Sequence, residues 1–321
     1  MENNHFDAKK PNFFIVGAPK SGTTSLWYYL KQHPEIFMCE PKEPHFFCKD
    51  LIQESIKFHG YNKFNYITKL EDYLKLFHDV KASLIIGEAS TGYLFSKVAA
   101  REIYKFNPNS KILISIREPV DFMYSDFLQL LYMGDEVVTD FKLALILENK
   151  RKRWEEVPTS AHYPSILYYK EKAKFYEQIK RYLSVFPREN VKIILLDDLK
   201  RNPRKVYREI LEFLKVKNKD FEPDFTLKNK AKIYRVKLIR DVLHNPDKWG
   251  LIKKVLRKIL PSRAYVKLYQ FLKKINTVTY NKPPLDKNLK LELMKEFKSE
   301  VKKLSSLIGR DLEKIWGYDK I

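Results

Sequence analysis

NFFIVGAPKSGTTSLWYYL, residues 12–30, sets two local structures end to end. Residues 12–18 form a short apolar run with β-branched and aromatic side chains, bounded by Pro19 and Gly22, which reads as a buried strand. Leu26, Trp27, Tyr29 and Leu30 then recur at helical spacing until Pro34 stops them, so a helix follows the strand directly. GAPKSGTTS (17–25) therefore lies at a strand-to-helix junction, where backbone N–H groups and the positive end of a helix can cradle an anion. Gly17 and Gly22 stand at the spacing of a Walker A loop, but that loop needs Lys and then Ser/Thr directly after its second glycine, for the terminal phosphates and Mg²⁺. Here Thr23 and Thr24 follow Gly22, and the lysine, Lys20, is inside the loop. The pattern points to an anion bound without a dedicated metal; its plain alternative is a Gly/Ser/Thr turn that caps a helix.

Three more apolar runs too short for helices, SLIIGEAS (83–90), KILISIREP (111–119) and VKIILLDDL (191–199), read as strands with helical segments between them. That alternation predicts a parallel sheet covered by helices on both faces, an α/β core over residues 10–225. Residues 226–321 contain no strand-like run and read as a helical C-terminal extension, broken at PSR (261–263) and NKPPLD (281–286). The whole of 1–321 is expected to be one domain.

The chain has 321 residues, 44% hydrophobic and 14% aromatic, which excludes disorder throughout. No run approaches the roughly 20 apolar residues that span a bilayer, and MENNHFDAKKPNFFIVG lacks the order of a secretory signal. A soluble, cytoplasmic protein is expected. Two cysteines, Cys39 and Cys48, allow one bridge at most, so no disulfide framework is expected. The seven histidines include no i, i+4 pair and the cysteines no CxxC spacing, so no metal site is expected; no GxSxG element suggests a serine hydrolase.

The net charge is +21, yet residues 1–150 hold 18 basic against 19 acidic residues, whereas 228–282 hold 16 against two. Within that basic stretch, WGLIKKVLRKIL (249–260) and YVKLYQFLKKI (265–275) interleave apolar and basic residues at helical spacing and predict a basic helical hairpin over 249–275. Three readings stay open: a solvated face whose apolar side packs on the core, a peripheral contact with an anionic membrane surface, and a groove for an acidic polysaccharide. A nucleic-acid-binding protein is the rival from another class, but it leaves the anion loop in the neutral half unexplained, and no specific nucleic acid is expected.

IREPVDFMYSDF (116–127) puts Arg117 at a strand end and Ser125 eight residues on, near the start or first turns of the next helix. An arginine fork with a hydroxyl is a second phosphate site. Two anion sites at the carboxyl ends of two strands of one sheet can bind a single ligand with phosphates at both ends. Alone, Arg117 reads as a strand-end residue paired with Asp121 or Asp126. A P-loop kinase, the rival enzyme, needs GK[ST] after the loop and an acidic residue where Arg117 stands.

FFIVGAPKSGTTSLWYYL, KEPHFF, ILISIREPVDFMYSDF and FYEQIKRYLSVFPRENVKIILLDDLKRNP run in family order from residue 13 to about 203. Together they resemble the sulfotransferases that use 3′-phosphoadenosine 5′-phosphosulfate (PAPS), more narrowly the carbohydrate, heparan-sulfate-type branch and its prokaryotic relatives. PPLDKNLKLELMKEFKSEVKKLSSLIGRDLEKIW also fits that family's C-terminal end. The resemblance implies a P-loop-like three-layer fold and PAPS as co-substrate, with no metal. It implies that Lys20, Ser21, Gly22, Thr23, Thr24 and Ser25 hold the 5′-phosphosulfate and Arg117 and Ser125 the 3′-phosphate. Tyr176 stands where relatives have an aromatic near the nucleotide; a core tyrosine is the alternative. The implied reaction moves a sulfuryl group to a hydroxyl or amine of a carbohydrate or glycolipid by in-line displacement. A lysine and N–H donors at the departing phosphate suit the charge that develops there.

In PKEPHFF (41–47) the glutamate matching the branch's general base is Glu43. His45, two residues on in an extended segment, projects to the same side and assists or replaces it. The alternative is a loop shaped by Pro41 and Pro44, with His45 packed on Phe46 and Phe47. Two departures stand out. Ala89 occupies the place of a lysine that contacts acidic glycans in heparan enzymes, leaving Glu88 as a weaker site candidate or a strand-end carboxylate in a surface pair. The family's Lys/Gly/Arg loop is replaced by TVTYNK before PPLD, with Lys228 to Arg235 or Lys282 as substitutes for that clamp.

Overall fold

A computed structural model describes residues 10–80, 84–226 and 283–321, with the strand residues 232–234 and 277–279 and the single positions 264 and 271. Five strands, β1 (Phe13–Gly17), β2 (Ile36–Met38), β3 (Ile85–Ala89), β4 (Lys111–Ile116) and β5 (Val191–Leu195), form one sheet in the order β2-β3-β1-β4-β5. Every pairing is parallel. All residues of β1 and β3 are buried, as a central strand covered on both faces requires. β2 was not expected: its three residues, Ile36, Phe37 and Met38, are too few to carry a periodic signal.

The helices in chain order are α1 (Thr23–Lys31), α2 (Lys49–His59), α3 (Leu70–Leu74), α4 (Gly92–Phe95), α5 (Ala99–Phe106), α6 (Pro119–Met133) and α7 (Phe141–Arg151). There follow α8 (Tyr169–Ala173), α9 (Phe175–Leu183), α10 (Leu196–Arg201), α11 (Pro203–Leu214), α12 (Lys287–Ile308) and α13 (Leu312–Trp316). The pleat sorts the core into two layers. Phe13, Ile15 and Leu113 pack with Leu26, Leu30, Ile210 and Leu211 of α1 and α11. Phe14, Val16, Ile112 and Ile114 face the opposite way, onto Ile103, Phe122, Ile179 and the α12 residues Leu293, Phe297 and Val301. This is the three-layer sheet flanked by helices that the sequence predicts. None of the described helices is long and apolar enough to cross a membrane.

The chain leaves β1 toward β2 on one side and β4 toward β5 on the other. In open parallel sheets such a reversal opens a crevice at the carboxyl ends of the strands. The helix entering from that crevice, α6, is firmly anchored. Glu118 caps it, accepting from the N–H groups of Val120 (2.9 Å) and Asp121 (2.5 Å), and the Tyr318 hydroxyl donates to the same carboxylate at 2.5 Å. Further out, Arg151 and Glu136 form a fully buried two-point ion pair at 2.6 and 2.8 Å.

The expectation of a strand-free region beyond residue 226 is corrected by β6 (Lys232–Tyr234) and β7 (Thr277–Thr279), paired antiparallel with Ile233 opposite Val278. Each is three residues long, below the length at which alternation is readable. The expected basic hairpin at 249–275 lies outside the described residues, apart from helical positions at Ala264 and Phe271. So do Lys228 and Lys282. Cys39 and Cys48 are both buried free thiols.

Candidate active site

β1 ends at Gly17, and the loop that follows is hung from the end of β4. The Ala18 N–H donates to the Ser115 carbonyl (2.6 Å), the Ser115 hydroxyl to the Ser21 carbonyl (2.5 Å), and Arg117 Nη1 to the Lys20 carbonyl (3.2 Å). Gly22, in the left-handed region at φ 83°, begins α1 without bringing a capping side chain to it. A Cβ at Gly22 would sit 2.7 Å from Leu199 Cδ2, so the loop is packed against α10 from outside. The residue types thus leave the first turn of α1 to be met by something other than its own cap.

A cleft of about 940 Å³ opens here, and Lys20, Gly22, Thr23, Thr24, Ser25, Arg117 and Ser125 line it. Lys20 Nζ donates to Gln129 Oε1 at 2.8 Å, which holds the ammonium across the cleft from its own loop. Arg117 sits 3.6 Å from Asp121, while Asp126, the other expected partner, pairs instead with Lys172. Arg117 Nε is buried with no hydrogen-bond partner. A buried guanidinium donor left open, beside a helix start that no side chain caps, fits a ligand with phosphate groups. Ser125 lies in the second turn of α6 and lines the same cleft. Two expected donor residues lie elsewhere. Ser21 is fully buried with its hydroxyl turned to the Pro19 carbonyl (3.3 Å). Tyr176 is on α9, where its N–H donates to Glu300 (2.8 Å), and it is not among the residues lining the cleft.

Glu43 and His45 line the cleft together with the loop. They meet, His45 Nε2 lying 3.4 Å from Glu43 Oε2, but not by the extended geometry expected from their spacing. Both backbones are left-handed, at φ 67° and 57°. Such conformations cost a non-glycine residue about 1–3 kcal/mol each and persist only where the surroundings hold them. The holding bonds are the Glu43 N–H to the Ala89 carbonyl (2.9 Å), the His45 N–H to Ser90 Oγ (3.0 Å) and the Thr91 N–H to Glu43 Oε2 (2.7 Å). Burial pushes the Glu43 carboxyl up, but Lys42, in contact with it, and His45 outweigh burial and hold it below the ordinary carboxylate value. Burial drives His45 below the ordinary imidazole value, and Glu43 only partly offsets this. The pair at neutral pH is therefore an ionised carboxylate beside a neutral imidazole, which can accept a proton and pass it on.

Glu88 is not in a surface pair. It is fully buried, and burial pushes it up to about 8. The hydroxyls of Tyr73, Tyr93 and Ser90 surround it, though none closes a hydrogen bond of good geometry. Its strand is buried along its whole length, which placed it inside. Reading the sequence also missed Gln129, His162 and Lys172, which line the cleft from α6, the 152–168 connection and α8. No local pattern marks them, because their partners Lys20, Asp135 and Asp126 come from other segments. No group of three or more His, Cys, Asp or Glu that could hold a metal occurs among the described residues.

Comparison with known proteins places this arrangement. A sulfotransferase domain profile matches residues 10–236. Human carbohydrate sulfotransferase 15 is 29% identical over 153 residues, 37% of this chain and 27% of that protein. Human bifunctional heparan sulfate N-deacetylase/N-sulfotransferase 3 is 26% identical over 214 residues, 64% of this chain and 22% of that protein. This chain thus spans about a quarter of the length of these relatives. The crystal structure of a sulfotransferase from Alicyclobacillus acidocaldarius superposes with a TM-score of 0.69 at 30% identity, covering 95% of this chain and 98% of that one. A profile match over most of the chain and a solved sulfotransferase aligned along nearly all of it lead to one assignment: this chain belongs to the sulfotransferase domain family.

Proposed function

We propose that the protein transfers a sulfuryl group from PAPS to a hydroxyl or amine of a carbohydrate-bearing acceptor. One observation carries the reading: an anion cradle, a second arginine–hydroxyl site and a carboxylate–imidazole pair all line one cleft at the carboxyl ends of β1, β3 and β4. The family supports the reaction class, and the names of the carbohydrate and heparan sulfate relatives support the acceptor class.

In this reading Lys20 and the N–H groups opening α1 hold the 5′ end of the donor, and Arg117 with Ser125 holds its 3′-phosphate. PAPS supplies a sulfuryl group already activated on a phosphate. As the acceptor oxygen or nitrogen bonds to sulfur, the bond from sulfur to the phosphate oxygen breaks and negative charge gathers on that phosphate. Lys20 stabilises this charge more in the transition state than in the ground state. Glu43 takes the acceptor's proton, and His45, at 3.4 Å from it, relays or shares that proton.

Calorimetric titration with 3′-phosphoadenosine 5′-phosphate (PAP) tests the donor site. Lys20→Ala and Arg117→Ala should each weaken binding about 10- to 100-fold, the usual worth of a charge-assisted contact. No binding by the unmodified protein, or equal binding by both variants, would refute the assignment.

A further inference from the structure

Beyond Glu43 and His45 the cleft changes character. Its far wall is built from α2 and from the segments near residues 64–67 and 162–166, which α2 holds in place. The Ser55 hydroxyl donates to the His162 carbonyl (2.5 Å), and the Ser165 N–H donates to Glu54 (2.8 Å). Leu51, Ile52, Ile67, Phe95, Met133 and Ile166 line this end. Leu51 lies beside His45, both being within contact of the space above Gly92. The apolar wall therefore begins at the proposed reacting centre.

The cations lining this side among the described residues are already matched. Lys42 contacts Glu43, Lys172 is paired with Asp126 with both side chains almost fully buried, and His162 Nδ1 lies 2.5 Å from Asp135 Oδ1. Asp135 is itself buried behind His162, so the pair brings no open cation to this wall. The other two lining lysines, Lys20 and Lys200, stand at the other end: Lys20 in the loop, Lys200 next to Leu199, which packs on Gly22. Among the described residues of this wall an acidic polymer would thus meet apolar side chains and cations already paired. An alkyl or aryl group would be desolvated there at little cost.

We infer that the acceptor is an uncharged amphiphile whose apolar body occupies the cleft beyond Glu43 and His45, a neutral glycolipid rather than a polyanionic glycan. This rests on the sulfuryl-transfer reading and narrows it.

The test is a series of alkyl β-glucosides and β-galactosides from methyl to hexyl, set against desulfated chondroitin. Transfer from PAPS and binding to the PAP complex are both measured. Each methylene that enters the apolar wall should raise affinity and kcat/KM about fourfold until the wall is filled. Met133, 36% exposed at the cleft, can be changed without disturbing the core, and Met133→Lys should flatten the chain-length dependence while keeping PAP affinity. Turnover of chondroitin with an alkyl series that stays flat would overturn the inference. So would failure of every alkyl glycoside to bind or react while PAP still binds. Loss of PAP binding itself would instead sink the donor reading, so the two failures are distinguishable.

Discussion

Replacing Glu43 by glutamine isolates the proton-accepting role from the shape of the loop. Glutamine keeps the volume of the side chain, and its carbonyl oxygen can still accept from the Thr91 N–H, now 2.7 Å from Oε2. The Glu43 N–H bond to the Ala89 carbonyl is a backbone bond and is unaffected. What is lost is the charge that Lys42 contacts and the site that takes a proton. Glu43 remains 29% exposed, so loss of the pair should lower stability by under about 1 kcal/mol. A positioned base contributes about 10²- to 10⁴-fold, and His45 at 3.4 Å can take over part of the task, so a fall of about 10²-fold in kcat is expected. The assay is transfer of labelled sulfate from PAPS, with PAP titration alongside, and PAP affinity should stay within about twofold. The pH profile adds a signature. With Glu43 as base, the acid limb of kcat/KM lies below the ordinary carboxylate value of 4.5, because Lys42 and His45 outweigh burial. With His45 as base, it lies below the ordinary imidazole value of 6.5, because burial favours the neutral ring. Turnover within about threefold of the parent at equal PAP affinity would refute the role given to Glu43.

Three further perturbations test the scaffold. Gly22→Ala places a Cβ at φ 83° and 2.7 Å from Leu199 Cδ2; it should cost about 1–2 kcal/mol in urea unfolding and weaken PAP binding, and an unchanged titration would mean that the loop does not hold the donor. Arg151→Met strands the fully buried Glu136 and should cost about 3–5 kcal/mol by the same measurement, most of it recovered by adding Glu136→Gln. Glu88 is pushed up to about 8 from an ordinary 4.5, so the unfolded chain releases this proton at lower pH than the folded one. Its contribution is complete below the ordinary value and is lost as pH rises toward about 8; the thermal midpoint should fall over that range and Glu88→Gln should flatten the fall.

What the sequence made legible was what is local. The strand, turn and helix of residues 12–30 appear at β1 (Phe13–Gly17) and α1 (Thr23–Lys31), because the apolar run, the glycines and the helical spacing are all read within one window. β2, β6 and β7 were not legible: each has three residues, and pairing partners far along the chain make them strands. The same division holds in the cleft. Lys20, Arg117 and Glu43 stand in continuous motifs. His162 and Lys172 take their meaning from Asp135 and Asp126, and only the fold brings those pairs together. Ser21 shows the converse limit, since a residue inside the motif can be turned into the core by one hydroxyl-to-carbonyl contact.

The register of the sheet ties the Lys20 loop and the Glu43 loop, the proposed donor cradle and base, into one rigid unit. Ile15 of β1 is paired with Ala89 of β3, and Gly17 with Ile114 of β4. The Glu43 loop hangs from the Ala89 carbonyl, and the Lys20 loop from the Ser115 carbonyl and hydroxyl, so the first is fixed at a pairing made on the central strand and the second one step beyond another. A one-residue slip would turn every β1 side chain to the opposite layer, and the segregation of Phe13 and Ile15 from Phe14 and Val16 into separate core layers forbids it. The strain at Glu43 and His45 can therefore be sustained, because the bonds that oppose it end on a strand that cannot yield. The fully buried sheet thus does more than stabilise the fold: it sets the separation between the proposed donor site and the proposed base, which an in-line transfer requires.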